Sequence, residues 1–319
     1  SLWRDQAAQH LLRLCDLQQG LLPYRYSPPT GEFSETDRNL TKLAWGSLSL
    51  ANYARCCGQD SVRQASEKHL RSVITRFGRK LSLPYPNDTS NNNKTYNTSE
   101  VGAGECLCDA GQAPLGAQAL FALAIQNQPQ APADLLDFEA GLRKTLVASR
   151  ESDGHFTVAL EIPEFQTKVS SPEKGIRRPQ TPTTPFDDPQ NDQPPMALLA
   201  LSKQLTPSQY QQSLRYYLDR FRHRPTRAAV PWLALACQSK EDLYFLVDWN
   251  LGNLPAWEST EPQLQGGVFN PDRLDYGPSC HTSDAAAQLQ ALAKAEQAEQ
   301  GDRTKQVLRD EKRALYEGG

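Results

Sequence analysis

The chain of 319 residues lacks an excess of positive charge, a long apolar run and any sustained strand-like alternation. Its 34 Lys and Arg stand against 37 Asp and Glu, a formal net charge of −3. That leaves no basic surplus to hold a phosphate backbone, so nucleic acid is not an expected partner. No apolar stretch approaches the roughly 18 residues needed to cross a bilayer. With mean hydropathy at −0.62 and 38% hydrophobic residues, the composition predicts a soluble protein without membrane insertion. There is no Gly-rich phosphate loop, no Gly-x-Ser-x-Gly elbow and no His-Glu-x-x-His, which removes nucleotide-dependent and serine-hydrolase chemistries. Seven cysteines are too few for a disulfide-held scaffold of this size, and an odd number leaves at least one unpaired. Ser1 opens the chain with neither an initiator Met nor a signal sequence, so a processed start is open. A periplasmic or extracellular location is the expectation, with the cytoplasm as the alternative.

What is present is helical periodicity. Apolar residues recur at helical spacing almost throughout, and the best strand-like exception runs from His155 to Ile162. The spacing predicts helices at about 2–19, 37–57, 60–77, 110–126, 131–149, 194–204, 206–221, 226–238, 240–251, 282–296 and 302–316, an all-α chain. Segments such as Ala119 to Ala124, Met196 to Leu201 and Trp232 to Ala236 are rich in Ala and Leu on most faces, as buried helices are. Amphipathic helices lie between them, Ser208 to Phe221 for example, so an inner helix alternates with an outer one. Inner-to-outer links are short, at Cys57-Gly58-Gln59, Asn127 to Gln130 and Leu205. Most outer-to-inner links are long, spanning about 20–36, 79–109, 150–193 and 252–281.

Every long connection therefore emerges at one end. Three of them open alike, at Gly20-Leu21-Leu22, Gly154-His155-Phe156 and Gly267-Val268-Phe269, each a Gly turn followed by an apolar anchor. Such weak repetition is expected of helical hairpins closing into a ring. The fold expected is an (α/α) toroid of five to six hairpins in a single domain, with Pro-rich 162–195 as a lid or insertion. An open α-solenoid is the rival, but its connections are normally short.

Long connections inside a compact domain are usually functional, and here they lead to the N-termini of the inner helices, where the dipoles are positive. The first contains Tyr24, Arg25, Tyr26, Glu35, Asp37 and Arg38, followed by Lys42 and Trp45. Aromatic faces next to Arg and carboxylates suit a sugar ring and an acidic group. The competing reading is capping by Thr36 or Asp37, with the tyrosines as loop anchors. The run Pro23-Tyr24-Arg25-Tyr26 with Pro28 and Gly31, and then Asn39, resembles bacterial toroid proteins related to the C-terminal domain of D-glucuronyl C5-epimerase. More loosely it is similar to six-hairpin glycosidases, and Arg273-Leu274-Asp275-Tyr276 with His281 resembles the same group. The resemblance implies a polysaccharide substrate, uronic-acid-bearing, with tyrosine and carboxylate side chains doing the acid/base work.

Carboxylate pairs serve glycoside cleavage when about 5 to 10 Å apart. The candidates on the loop side are Glu35, Asp37, Asp109, Asp153, Asp187, Asp188, Glu258 and Asp275, and adjacent Asp187 and Asp188 can split their pKa values. A lyase or epimerase would use Tyr24, Tyr26 or His281 beside the C5 proton, with an Arg against the uronate. Arg25, Arg177, Arg178, Arg227 and Arg273 offer themselves, and Asp109, Arg38 and Trp257 could line the substrate path. An Asp-Asp-Pro turn is equally ordinary solvated loop, and His281 could simply bond Asp284. A catalytic zinc held by Cys106, Cys108, Cys280 and His281 is a second possibility, since Cys-His adjacency at an inner helix resembles the lanthionine cyclases. A disulfide among the three cysteines, or inert thiols, are the alternatives. Cys15 and Cys237 read as small buried hydrophobes. Trp232 reads as core, and Trp249 as packing or as the mouth's wall. His10, His69 and His223 read as solvated. The class that competes with an enzyme is a glycan- or peptide-binding or assembly toroid without turnover.

Overall fold

A computed structural model describes residues 2–17, 20–22, 25–27, 32–34, 40–84, 101–109, 111–157, 159–161, 195–225 and 229–252. Among them the chain is mostly helical, and the all-α class holds. The contacts divide the chain into two compact units, Ser1–Pro179 with Ala200–Leu205, and Gln180–Leu199 with Thr206–Gly319.

In the first unit, α1 (Leu2–Leu17), α2 (Leu40–Cys57), α3 (Asp60–Phe77), α4 (Leu115–Asn127) and α5 (Ala133–Ala148) form the framework. Sequence composition decides which helix is inside. In α4, Leu115 to Ala122 are all buried, as are Ala124 and Ile125, because no face carries a charge. α2 packs most extensively on α4, while α3 and α5 each flank one of these inner helices. α3 buries Val62, Ser66, His69, Leu70, Val73 and Phe77, a stripe at three- and four-residue spacing with Glu67 at its edge, and turns Lys68, Arg71 and Arg76 outward. α2–α3 and α4–α5 are thus two hairpins side by side, their short links at 58–59 and 128–132. Phe121 of α4 meets Phe138 of α5 edge to face at 6.2 Å, a geometry that aromatic rings favour.

In the second unit, α7 (Pro207–His223), α8 (Val230–Ala236) and α9 (Lys240–Gly252) follow the six-residue α6 (Pro195–Ala200). α8 is the buried one, all but Leu235 lying in the core. Tyr210 of α7 donates its hydroxyl to the carbonyl of Ala236 at 2.8 Å, closing the end of α8. The start of α7 is written in its sequence: Thr206 accepts from the Gln209 N–H, and Gln209 returns a bond to Thr206, a capping box.

The long connections are not free of regular structure, which is where the all-helical expectation needs correction. β1 (Arg25–Ser27) pairs with β2 (Glu32–Ser34), and β3 (Gly78–Pro84) with β4 (Val101–Leu107), both antiparallel. β5 (Gln112–Pro114) pairs with β6 (Ala159–Glu161), which occupies the one stretch whose sequence alternates. Because β5 takes up residues 112–114, α4 begins at Leu115 rather than near 110. β4 lies along α5 and is pinned at two points, one from α4 and one from α5. Gln118, fully buried in α4, accepts from the Leu107 N–H and donates to the Leu107 carbonyl, both at 2.7 Å, as a neighbouring strand would. Thr145 of α5 donates to the carbonyl of Glu105 at 2.7 Å. Gly141 makes this approach feasible, since a Cβ there would lie 2.7 Å from Glu105 Cβ.

Candidate functional site

The two hairpins of the first unit place their short links at one end and the long connections at the other. At that far end the second and third long connections are joined directly, Gln112 facing Glu161, Ala113 facing Leu160 and Pro114 facing Ala159 in the β5–β6 ladder. The ladder stands immediately before the N-terminus of inner helix α4.

Two of the three Gly-led openings are borne out. Gly20 (φ +95°) and Gly154 (φ +99°) adopt the left-handed region that favours glycine. Phe156 after Gly154 is 1% exposed, and Leu22 after Gly20 packs against Gly46 of α2, where a Cβ would overlap Leu22 Cδ1. The opening at Gly267 lies outside the described residues.

Of the first connection, Arg25 and Tyr26 are carried by β1, where Arg25 pairs in register with Ser34 and Tyr26 with Phe33. Tyr24, Glu35, Asp37 and Arg38 lie outside the described residues, as do Asp187, Asp188, Arg227, Trp257, Arg273, Asp275, Cys280 and His281. Asp109 is described: its N–H donates to the Gln112 carbonyl and its carbonyl accepts from the Gln112 N–H, both at 3.0 Å, which sets it at the base of β5.

At the start of the third connection the structure adds a pairing that sequence reading did not assemble. Asp153 Oδ1 accepts from the His155 N–H at 3.1 Å and meets His155 Nδ1 at 2.5 Å. Partial burial pushes the Asp153 carboxyl up, but the His155 N–H and ring outweigh it, and the group titrates below its ordinary value. The signal was the Asp-Gly-His triplet itself, a turn short enough to fold the ring back onto its own carboxylate.

Cys106 and Cys108 are free thiols, 0% and 3% exposed, packed with Ala113 and Leu81. Cys106 lies in β4 and Cys108 just beyond its end, and the two join one apolar cluster. Burial pushes the Cys106 thiol up to about 12, helped by neighbouring Cys108 and Glu105, and burial raises Cys108 as well. With no metal bound, the protonated thiol is therefore favoured at both positions. Among the described residues no three His, Cys, Asp or Glu side chains are grouped to hold a metal.

His69 corrects an expectation. Its sequence neighbours Glu67, Lys68 and Arg71 suggest a wet face, yet the ring is 0% exposed. Nδ1 lies 2.7 Å from the carbonyl of Gly20, which must accept, so Nδ1 carries the proton. Nε2 lies 2.8 Å from Ser47 Oγ of α2, and Cys15 Sγ of α1 sits 3.9 Å from Nδ1. Burial lowers the imidazole to about 4, against a smaller upward pull from the Gly20 carbonyl. Ser47 is itself 0% exposed, so this Ser–His contact is an interior joint linking α2 and α3 to the start of the first connection.

Compared with known proteins, the chain matches no family model and no curated sequence. Its chemistry must be argued from its own residues. The remaining expectations divide cleanly. His10 and His223 are exposed as expected. Cys15, Cys237 and Trp232 are buried. Trp249 packs against Phe221 at 5.0 Å between ring centroids, in keeping with the packing reading. No helix among the described residues is long and apolar enough to cross a membrane.

Proposed function

We propose that the chain is a carbohydrate-active enzyme built as an (α/α) toroid, acting on a uronic-acid-bearing polysaccharide at the end where its long connections gather. The observation that supports the reading most is the β5–β6 ladder, which draws two separate long connections together beside the start of an inner helix. Connections that were mere linkers would have no reason to be tied to one another there. Tyr24, Arg25, Tyr26, Glu35 and Asp37 form the first wall in this proposal, with Arg38 and Asp109 along the substrate path. Asp187, Asp188 and His281 supply the further acid/base groups, and Arg227, Trp257, Arg273 and Asp275 the further binding groups.

The reaction is a hydrolysis, an elimination or a C5 epimerisation, each of which moves a proton at a sugar carbon or at the glycosidic oxygen. One screen separates them. Neutral and uronic-acid polysaccharides are incubated with the protein in deuterated water and followed for new reducing ends, for unsaturated uronate absorbance and for deuterium uptake without cleavage. At least one signal is expected from the wild type and a loss of about a hundredfold or more in Asp37→Asn or Asp187→Asn, the usual scale for removing an acid/base group. Silence from every glycan would turn the reading to a binding or assembly protein.

A further inference from the structure

Helix α3 carries a second feature, an outer face that runs from mid-helix to its last turn beside Leu21 of the first long connection. Gln64, Lys68, Arg71, Ser72, Thr75 and Arg76 lie three or four residues apart and so share one face. With Leu21 as a lateral wall they line an open groove of about 600 Å³. Gly20 seats the chain against this face, as a Cβ there would stand 2.5 Å from Ser72 Oγ.

The groove's charges are unequal. Its one lining carboxylate, Glu67, is 9% exposed and accepts from Arg63 Nη1 at 2.6 Å, so its charge is compensated within α3. Arg71 is held by Asp134 of α5 through Nε at 2.9 Å and Nη2 at 3.0 Å, a bidentate pair that fixes the guanidinium while using two of its five donors. Arg76 rides over the Phe77 ring at 5.8 Å. Two of the three cations are thus oriented before any ligand arrives. Lys68 and Arg76 stand two turns apart, about 12 Å along the axis, with the remaining Arg71 donors between them.

Lys68, Arg71 and Arg76 are spaced along a line with amide and hydroxyl donors between them. Asp134 offsets one of the three charges, and the row still suits a linear polymer bearing carboxylates at intervals. A neutral glycan would call for exposed aromatic platforms, and no aromatic side chain is among the described residues that line this groove. We propose that this groove on α3 binds the carboxylates of an acidic polysaccharide as an accessory subsite. The choice of a glycan rests on the function proposed above; the preference for acid rests on the groove alone.

The test uses the full-length chain and measures binding to polygalacturonate and to dextran by affinity electrophoresis at low salt. The double variant Lys68→Glu/Arg76→Glu is compared with wild type, and Lys144→Glu/Arg215→Glu, exposed cations of α5 and α7 outside the groove, makes the same change in overall charge as a control. Equal melting temperatures check folding, as both mutated side chains are exposed. The expected result is at least about tenfold weaker polygalacturonate binding in the double variant, with dextran and the control unaffected. The slope of log affinity against log salt is expected to fall by about one to two, as lost ionic contacts dictate. Unchanged polygalacturonate binding in the double variant, or no such binding by the wild type, overturns the proposal. Turnover measured on the same preparations keeps the two readings apart. A wild type that processes a glycan while the groove variant binds uronate normally sinks the groove alone. Charge-dependent binding without turnover sinks the enzyme alone.

Discussion

Acid should loosen the first unit through His69. In the folded chain the imidazole titrates near 4, held neutral by complete burial. In the unfolded chain it titrates at the ordinary value near 6.5. Between those values the unfolded state binds the proton and the folded state does not, so stability falls as pH drops from about 6.5 towards 4 and levels off below. Going from pH 7 to pH 5, that difference amounts to about 2 kcal/mol from this single side chain. Urea unfolding followed by tryptophan fluorescence at fixed ionic strength checks it, with His69→Gln as the reference. Gln has no titration in this range, so subtracting its pH profile cancels the contribution of every other group. The wild-type stability should fall by about 2 kcal/mol more than the variant's over this window. Parallel profiles would refute the reasoning and would mean that the ring reaches water or a buried anion when protonated.

Two further perturbations probe how β4 is held. Gln118→Ala leaves the Leu107 N–H and carbonyl without their side-chain partner in a fully buried place. A loss of about 2–4 kcal/mol is expected, read as a lowered melting temperature. Gly141→Ala ought to stabilise a helix by about 1 kcal/mol on propensity alone. Here the new methyl would meet Glu105 Cβ at 2.7 Å and Glu105 N at 3.1 Å. Since β4 is bonded to Thr145 and Gln118 and cannot retreat easily, crowding should win, with a net cost of about 1–3 kcal/mol. A melting temperature equal to or above wild type would show that the strand yields.

The helices were legible because their boundaries are marked locally. Pro132 precedes α5, Pro207 opens α7 behind the Thr206 cap, and the uniformly apolar run of α4 identifies an inner helix without reference to any partner. Apart from β6, which lies in the alternating stretch from His155 to Ile162, the strands in the connections were not legible, for an equally physical reason. β4 reads Val-Gly-Ala-Gly-Glu-Cys-Leu, nearly devoid of the β-branched and aromatic residues that announce a strand. Its pairing with β3 and its bonds to Gln118 and Thr145 supply what local preference does not. His69 could have been placed from the pattern, as Val62, Ser66, Leu70, Val73 and Phe77 define a buried stripe that passes through position 69. Its charged neighbours in the chain obscured that, although neighbours in sequence point to different sides of a helix. Of the candidate site, β1 carries Arg25 and Tyr26 as part of a paired element, and Asp109 anchors β5. The Asp153–His155 contact depends on a turn conformation that composition alone does not specify.

The grip of Gln118 on Leu107 has an implication for how this protein tolerates change. Because the register of β4 is set from a helix, at the strand's C-terminal end, it does not depend on the number of residues that separate it from β3. Insertions or deletions in that intervening stretch can accumulate without sliding Cys106 and Cys108 out of their packing. Here is a place where natural variants could differ freely in length, and where an engineered tag or a grafted loop could be inserted with little harm to the helices beneath.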